Sequence, residues 1–163
     1  MSVMFALPGL PVPQGSKKLV NGRMIDVNHR ELRSWRQDVA WAALDATSTD
    51  GMARIIDGPV TVTLDFYFQR PKGHFGKRGL RPSAPAAMTT RPDLDKLVRA
   101  VLDALTGVVF RDDAQVVSLT ARKHYADSSP PGLVCELGGP TPLLHSPEDA
   151  PWQHPSQPTL LAT

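Results

Sequence analysis

Cysteine is almost missing: Cys135 stands alone in 163 residues, which excludes an intrachain disulfide and a thiolate metal cluster and removes any need for an oxidising compartment. Long apolar runs are missing too. No stretch approaches the roughly 18 apolar residues of a membrane span, and residues 1–8 have neither a basic start nor an extended apolar segment. No secretory leader and no membrane partner are therefore expected, and a cytoplasmic location is. Lys and Arg are absent from residue 127 onward. Residues 1–126 hold all 18 of them and a net charge of +6, while 127–163 hold only Asp127, Glu136, Glu148 and Asp149, giving −4. The formal +2 averages a basic body and an acidic tail, and a basic body suits a polyanionic partner.

With 41% hydrophobic and 21% charged residues, the chain has material for one core and not for several domains. The pattern predicts a small α/β domain with a mixed α+β sheet, in the order β-α-β-loop-α-β-β, over residues 1–137. Residues 138–163 read as a disordered tail, since six prolines in 26 residues and no helical period leave nothing to pack. Residues 3–7 read as a short strand, followed by a Pro/Gly-rich loop with a basic end at Lys17 and Lys18. Asn28 and Glu31 have capping-box spacing, and Leu32, Trp35, Val39, Ala43 and Ala46 recur with helical period, predicting a helix over 29–48. Trp35 and Trp41 are both expected in the core rather than against bases.

Val60, Val62, Leu64, Phe66 and Phe68 alternate with polar residues and predict a strand over 60–69. Residues 70–85 hold six basic side chains counting His74, with three glycines and three prolines, and read as a mobile loop. A second helix is predicted over 93–105, with Pro92 in its first turn and Leu94, Leu97, Val98, Val101 and Leu105 as its apolar stripe. Strands over 116–125 and 133–137 complete the domain. Cys135, inside the last, is expected to be inert.

Carboxylates concentrate in two places. Asp93 and Asp95 flank Leu94 at the entry of the second helix, and Asp112 and Asp113 return at the start of the next strand, so three or four can converge. Magnesium takes hard oxygen ligands, usually one or two carboxylates, with water and substrate phosphate completing the octahedron. Blander roles exist for each: a helix cap, an exposed i,i+4 ladder through Asp95, Arg99 and Asp103, and a turn at Asp112-Asp113. What favours the metal is the border of Arg91, Lys96, Arg99 and Arg111 and the preceding basic loop, an arrangement that suits a cation bridging carboxylates to a phosphodiester. The five histidines show no metal-ligand spacing, and residues 73–78 lack the spacing of a phosphate loop.

The segments Pro92-Asp93-Leu94-Asp95-Lys96-Leu97, Asp103-Ala104-Leu105 and Asp112-Asp113-Ala114-Gln115, with the early Pro11-Val12-Pro13-Gln14-Gly15-Ser16 loop, resemble the RusA family of Holliday junction resolvases, common in bacteriophages and prophages. The resemblance spans roughly 3–137. It implies a homodimeric, Mg²⁺-dependent endonuclease, with Mn²⁺ able to substitute, that nicks opposed strands of four-way DNA junctions in recombination, replication and repair. The family's metal-binding aspartates match Asp93, Asp95 and Asp113. Its catalytic lysine falls on Arg99, a fixed fork that can stabilise phosphate charge but cannot act as a neutral base. Lys17, Lys18, Arg70, Lys72, Lys77, Arg78, Arg81, Arg91 and Lys96 are the candidate DNA contacts, with the basic loop 70–91 expected to embrace the backbone. The alternative is a non-catalytic branched-DNA-binding or replication-accessory protein on the same scaffold, with Arg99 marking lost catalysis.

Overall fold

The structure is a computed structural model and describes residues 2–15, 17–20, 23–26, 28–49, 52–53, 55–127 and 130–139. In chain order the elements are β1 (Ser2–Pro8), β2 (Lys17–Val20), β3 (Arg23–Asp26), α1 (His29–Thr47), β4 (Ser48–Thr49), β5 (Met52–Ala53), β6 (Val60–Phe68), a 3-10 turn (Lys72–His74), β7 (Phe75–Gly76), β8 (Gly79–Leu80), α2 (Leu94–Leu105), a second 3-10 turn (Asp113–Gln115), β9 (Val116–Tyr125) and β10 (Gly132–Gly138).

The main sheet has four strands in the order β1-β10-β6-β9. Period-two alternation buries Val60, Val62, Leu64, Phe66 and Phe68 of β6 on one face, each such burial contributing about 1.5–3 kcal/mol. Leu133, Cys135 and Leu137 of β10 and Val3 and Phe5 of β1 extend that face. The sheet is mixed because β1, β10 and β6 run antiparallel in succession while β6 and β9 run parallel. Two parallel neighbours need a long crossover, and α2 lies within it. At the β1–β10 edge Gly132 is required by close approach, since a Cβ there would lie 2.6 Å from the Leu7 carbonyl oxygen.

Both helices add one apolar stripe to the same core. Leu32, Trp35, Val39, Ala43 and Thr47 of α1 are buried, as are Leu97, Ala100, Val101, Ala104 and Leu105 of α2. Among the described residues no helix is long and apolar enough to cross a membrane.

Several expectations are corrected. Trp41 is 69% exposed, because it lies half a turn away from the Leu32–Val39–Ala43 stripe, and only Trp35 is core. Asn28 precedes α1 but its side chain makes no cap; its Nδ2 donates instead to the Pro13 carbonyl at 2.8 Å. Pro92 lies outside α2, whose N-cap is Asp93. The Pro/Gly-rich region after β1 leads into a β2–β3 hairpin, and the basic loop carries a 3-10 turn and the β7–β8 ladder instead of being irregular throughout. Gly138 closes β10, so the last strand runs one residue into the assigned tail. Residues 140–163 of that tail lie outside the described residues.

Candidate active site

Asp93 occupies the N-cap position of α2 without a side-chain capping bond. Its carboxylate pairs with Lys96 one turn later, Oδ2 to Nζ 3.0 Å, and the hydrogen bond and charge of that ammonium hold Asp93 below the usual carboxylate range. The chain just before it is fastened to the sheet. Lys123, on β9, donates from Nζ to the Thr90 and Pro92 carbonyls, both at 2.8 Å.

Asp95, Arg99 and Asp103 repeat every four residues and therefore share one side of α2. All three line a cavity of about 650 Å³, and Asp113 borders the same space from the 3-10 turn before β9. The rest of that cavity is apolar, made by Leu94, Val98 and Leu102 of α2 and Leu119 and Ala121 of β9. Asp103 is ion-paired with Arg36 of α1, whose guanidinium also donates to Gln14 Oε1 at 3.2 Å. That glutamine belongs to the early proline loop, and its backbone N–H donates to the Lys96 carbonyl at 3.0 Å. The loop is thereby docked on α2 beside the site, where Gln14, Gly15, Asp95, Lys96 and Arg99 border a smaller cavity of about 240 Å³.

The paired aspartates divide their work. Asp112 caps the 3-10 turn, its Oδ1 accepting from the Ala114 N–H at 2.8 Å. Gln115 completes a reciprocal capping box, its Oε1 accepting from the Arg111 and Asp112 N–H groups at 2.8 and 3.2 Å. The same amide donates through Nε2 to the carbonyls of Ile56 and Gly58 at 3.0 and 2.8 Å, tying the turn to the approach of β6. Asp113 is left free of capping and lines the cavity.

The expected convergence of three or four carboxylates is thus narrower in the structure. Among the described residues no three His, Cys, Asp or Glu side chains come close enough to hold a metal ion between them. Asp95 and Asp113 share the cavity, Asp103 joins them but is engaged by Arg36, Asp93 is engaged by Lys96, and Asp112 is consumed by its cap. Asp95 and Asp113 are nonetheless hard-oxygen donors of the kind Mg²⁺ takes, and that ion typically keeps several waters and needs only one or two carboxylates.

Of the candidate DNA contacts, Lys72, Lys77, Arg78, Arg81 and Arg91 are exposed and Lys96 is half-buried against Asp93. The side chains of Lys17 and Lys18 lie outside the described residues. Arg70 is a correction. Only 7% exposed, it stacks 4.1 Å above the Tyr125 ring, grips Asp127 with Nε and Nη2 at 2.5 and 3.0 Å, and donates to the Pro85 carbonyl at 2.7 Å. With three of its five N–H donors engaged and the side chain buried, it braces the base of the loop and is not among the exposed cations that can meet a phosphate. Arg36 escaped the residue-level reading, as did the structural roles of Asp103, Lys123 and Gln115. For Asp103 the signal existed, because the Asp95–Arg99–Asp103 spacing that reads as a solvated ladder also places it beside the other two. The partners of Lys123 and Gln115 are carbonyls distant in sequence, which no local pattern reveals.

A family model described as Endodeoxyribonuclease RusA matches residues 8–137. A curated relative, Uncharacterized protein YqaN of Bacillus subtilis (strain 168), is 31% identical over 130 residues, covering 77% of this chain and 89% of the relative.

Proposed function

The chain belongs to the RusA endodeoxyribonuclease family, and from that premise we propose that it is a divalent-metal-dependent, structure-selective endonuclease that resolves four-way DNA junctions by paired nicking. The observation that carries this is the single cavity shared by Asp95, Asp113 and Arg99. Asp95 and Asp113 would hold Mg²⁺ or Mn²⁺, and Asp93 would join them on exchanging Lys96. When bound, the metal supplies Lewis-acid polarisation of the phosphoryl oxygens and lowers the pKa of a water molecule. Arg99 presents a permanent cation to the scissile phosphate and stabilises the charge that grows on it. Lys123 and Gln115 position the two acidic segments through the backbone, and Arg36 keeps Asp103 neutralised. Exposed Lys72, Lys77, Arg78, Arg81 and Arg91 meet the flanking backbone, so binding weakens steeply with salt.

Resolution of a junction requires cuts on two opposed strands. Among the described residues one chain carries one set of Asp95, Arg99 and Asp113, so paired cutting calls for two chains, and a closed two-fold homodimer presents both sites in matching orientation. The test is a synthetic four-way junction incubated with Mg²⁺ or with EDTA. Nicking in Mg²⁺ alone is expected, with Asp95→Asn and Asp113→Asn each abolishing it while junction binding persists. Binding without nicking in either Mg²⁺ or Mn²⁺ would assign the non-catalytic role instead. Sedimentation equilibrium showing a monomer both free and bound one-to-one to a junction would rule out paired cutting by a dimer.

A further inference from the structure

Half of the cavity wall has no use in metal or phosphate chemistry. Leu94, Val98 and Leu102 form a stripe at four-residue spacing that lies between the core stripe of α2 and its charged ladder, and they remain half-buried. Ala121 and Leu119 of β9 line the same cavity, the latter 44% exposed. Leu94, Val98, Leu102 and Ala121 rest partly on the core, while Leu119 offers its apolar surface to the cavity, whose volume of about 650 Å³ falls within the range of small-ligand pockets. Asp95 and Asp113 border the same space. A group covalently attached to the phosphate they engage therefore reaches the apolar wall without leaving the cavity.

In DNA that group is a deoxyribose carrying a flat base with two apolar faces. We infer that the cavity is a nucleoside-accepting subsite in which the base beside the scissile phosphate leaves its stack and lies against Leu119, Leu94 and Val98, an assignment that rests on the endonuclease function proposed above. Unstacking a base costs a few kcal/mol in a duplex and least where pairing is already interrupted, as at a strand-exchange point. The subsite thus favours branched over linear DNA by the chemistry of its wall, with no base-specific hydrogen bond required.

The experiment uses four-way junctions carrying the fluorescent base analogue 2-aminopurine at one position at a time around the cut, mixed with the full-length protein in Mg²⁺ while nicking is followed on the same samples. A fluorescence rise that precedes nicking at one adjacent position is expected. Leu119→Gln should lose the rise and lower kcat/KM by about tenfold, the scale of one lost base contact, and Leu119→Met should restore both. Nicking by the wild type with 2-aminopurine quenched at every position would overturn the subsite while leaving the endonuclease function standing. Conversion of a dimer to a monomer by Leu119→Gln, with the bases still stacked, would show that a second copy covers the wall. Absence of both junction binding and nicking would remove the endonuclease function and the subsite together.

Discussion

Gln115 sits at the junction of four backbone groups, and replacing it with alanine tests whether the turn bearing Asp113 is held from its side chain. The amide accepts from the Arg111 and Asp112 N–H groups and donates to the Ile56 and Gly58 carbonyls. A protein hydrogen bond contributes about 0.5–1.5 kcal/mol net, and three of these four are exposed, so the low end applies and Gln115→Ala should cost about 2 kcal/mol. With a urea dependence of about 2 kcal/mol per molar, the unfolding midpoint should fall by about 1 M. Gln115→Glu separates the halves of the clamp. It keeps an acceptor for the two N–H groups but turns an oxygen toward two carbonyls, so it should be no more stable than the alanine variant at pH 7. Both variants should also bind Mg²⁺ more weakly, measured calorimetrically, because Asp113 begins the turn that the clamp secures. A midpoint for Gln115→Ala within about 0.25 M of wild type, or about 0.5 kcal/mol, would refute the reasoning, since it would mean that water replaces all four partners at almost no cost.

Arg99→Lys should preserve or raise nicking, and Arg99→Ala should lower kcat about a hundredfold, as for loss of one charge-stabilising donor; an alanine variant as active as wild type would remove Arg99 from the reaction. Arg70 holds the Asp127 carboxyl below its usual range. A depressed pKa contributes stability above the unfolded value of about 3.9 that is lost as pH falls through the folded one. Asp127→Asn should therefore flatten the fall in Tm on acidification below about pH 4, and an unchanged acid limb would contradict the pairing. Cys135 is fully buried in β10, and that burial pushes its thiol up to about 12. It should resist alkylation at pH 8 until the protein is unfolded, and rapid labelling of the native protein would show that β10 opens locally.

The scaffold was legible wherever one face of an element was wholly buried. Strict alternation marked β6, and the helical stripes marked α1 and α2 to within a residue or two. The aspartates were legible as residue types at a recognisable spacing, and their clustering around one cavity was only half foreseen. Asp112 and Asp113 are identical neighbours in sequence, yet one is absorbed by a cap and the other faces the cavity, a difference set by turn geometry that composition cannot express. Arg70 misled for a related reason. It opens a basic, Gly/Pro-rich stretch, and its partner Asp127 is 57 residues away. Trp41 shows the opposite case, since the helical period that placed Trp35 inside also places Trp41 outside, and only the general preference of tryptophan for burial argued otherwise.

The position of β10 between β1 and β6 has a bearing on how the chain matures during synthesis. Ser2 pairs with Gly138, so the first strand waits for the last before either finds its neighbour, and β6 keeps one open edge until then. Such long-range closure makes for slow folding, and a nascent chain halted before residue 138 exposes the apolar ribbons of β1 and β6 to other chains. Asp95, Arg99 and Asp113 emerge earlier, on α2 and the turn before β9, but β9 is paired to β6. A ribosome-bound intermediate would thus carry every acidic residue of the site beside a sheet lacking one of its two inner strands, and DNA cutting should begin only after β10 has joined it.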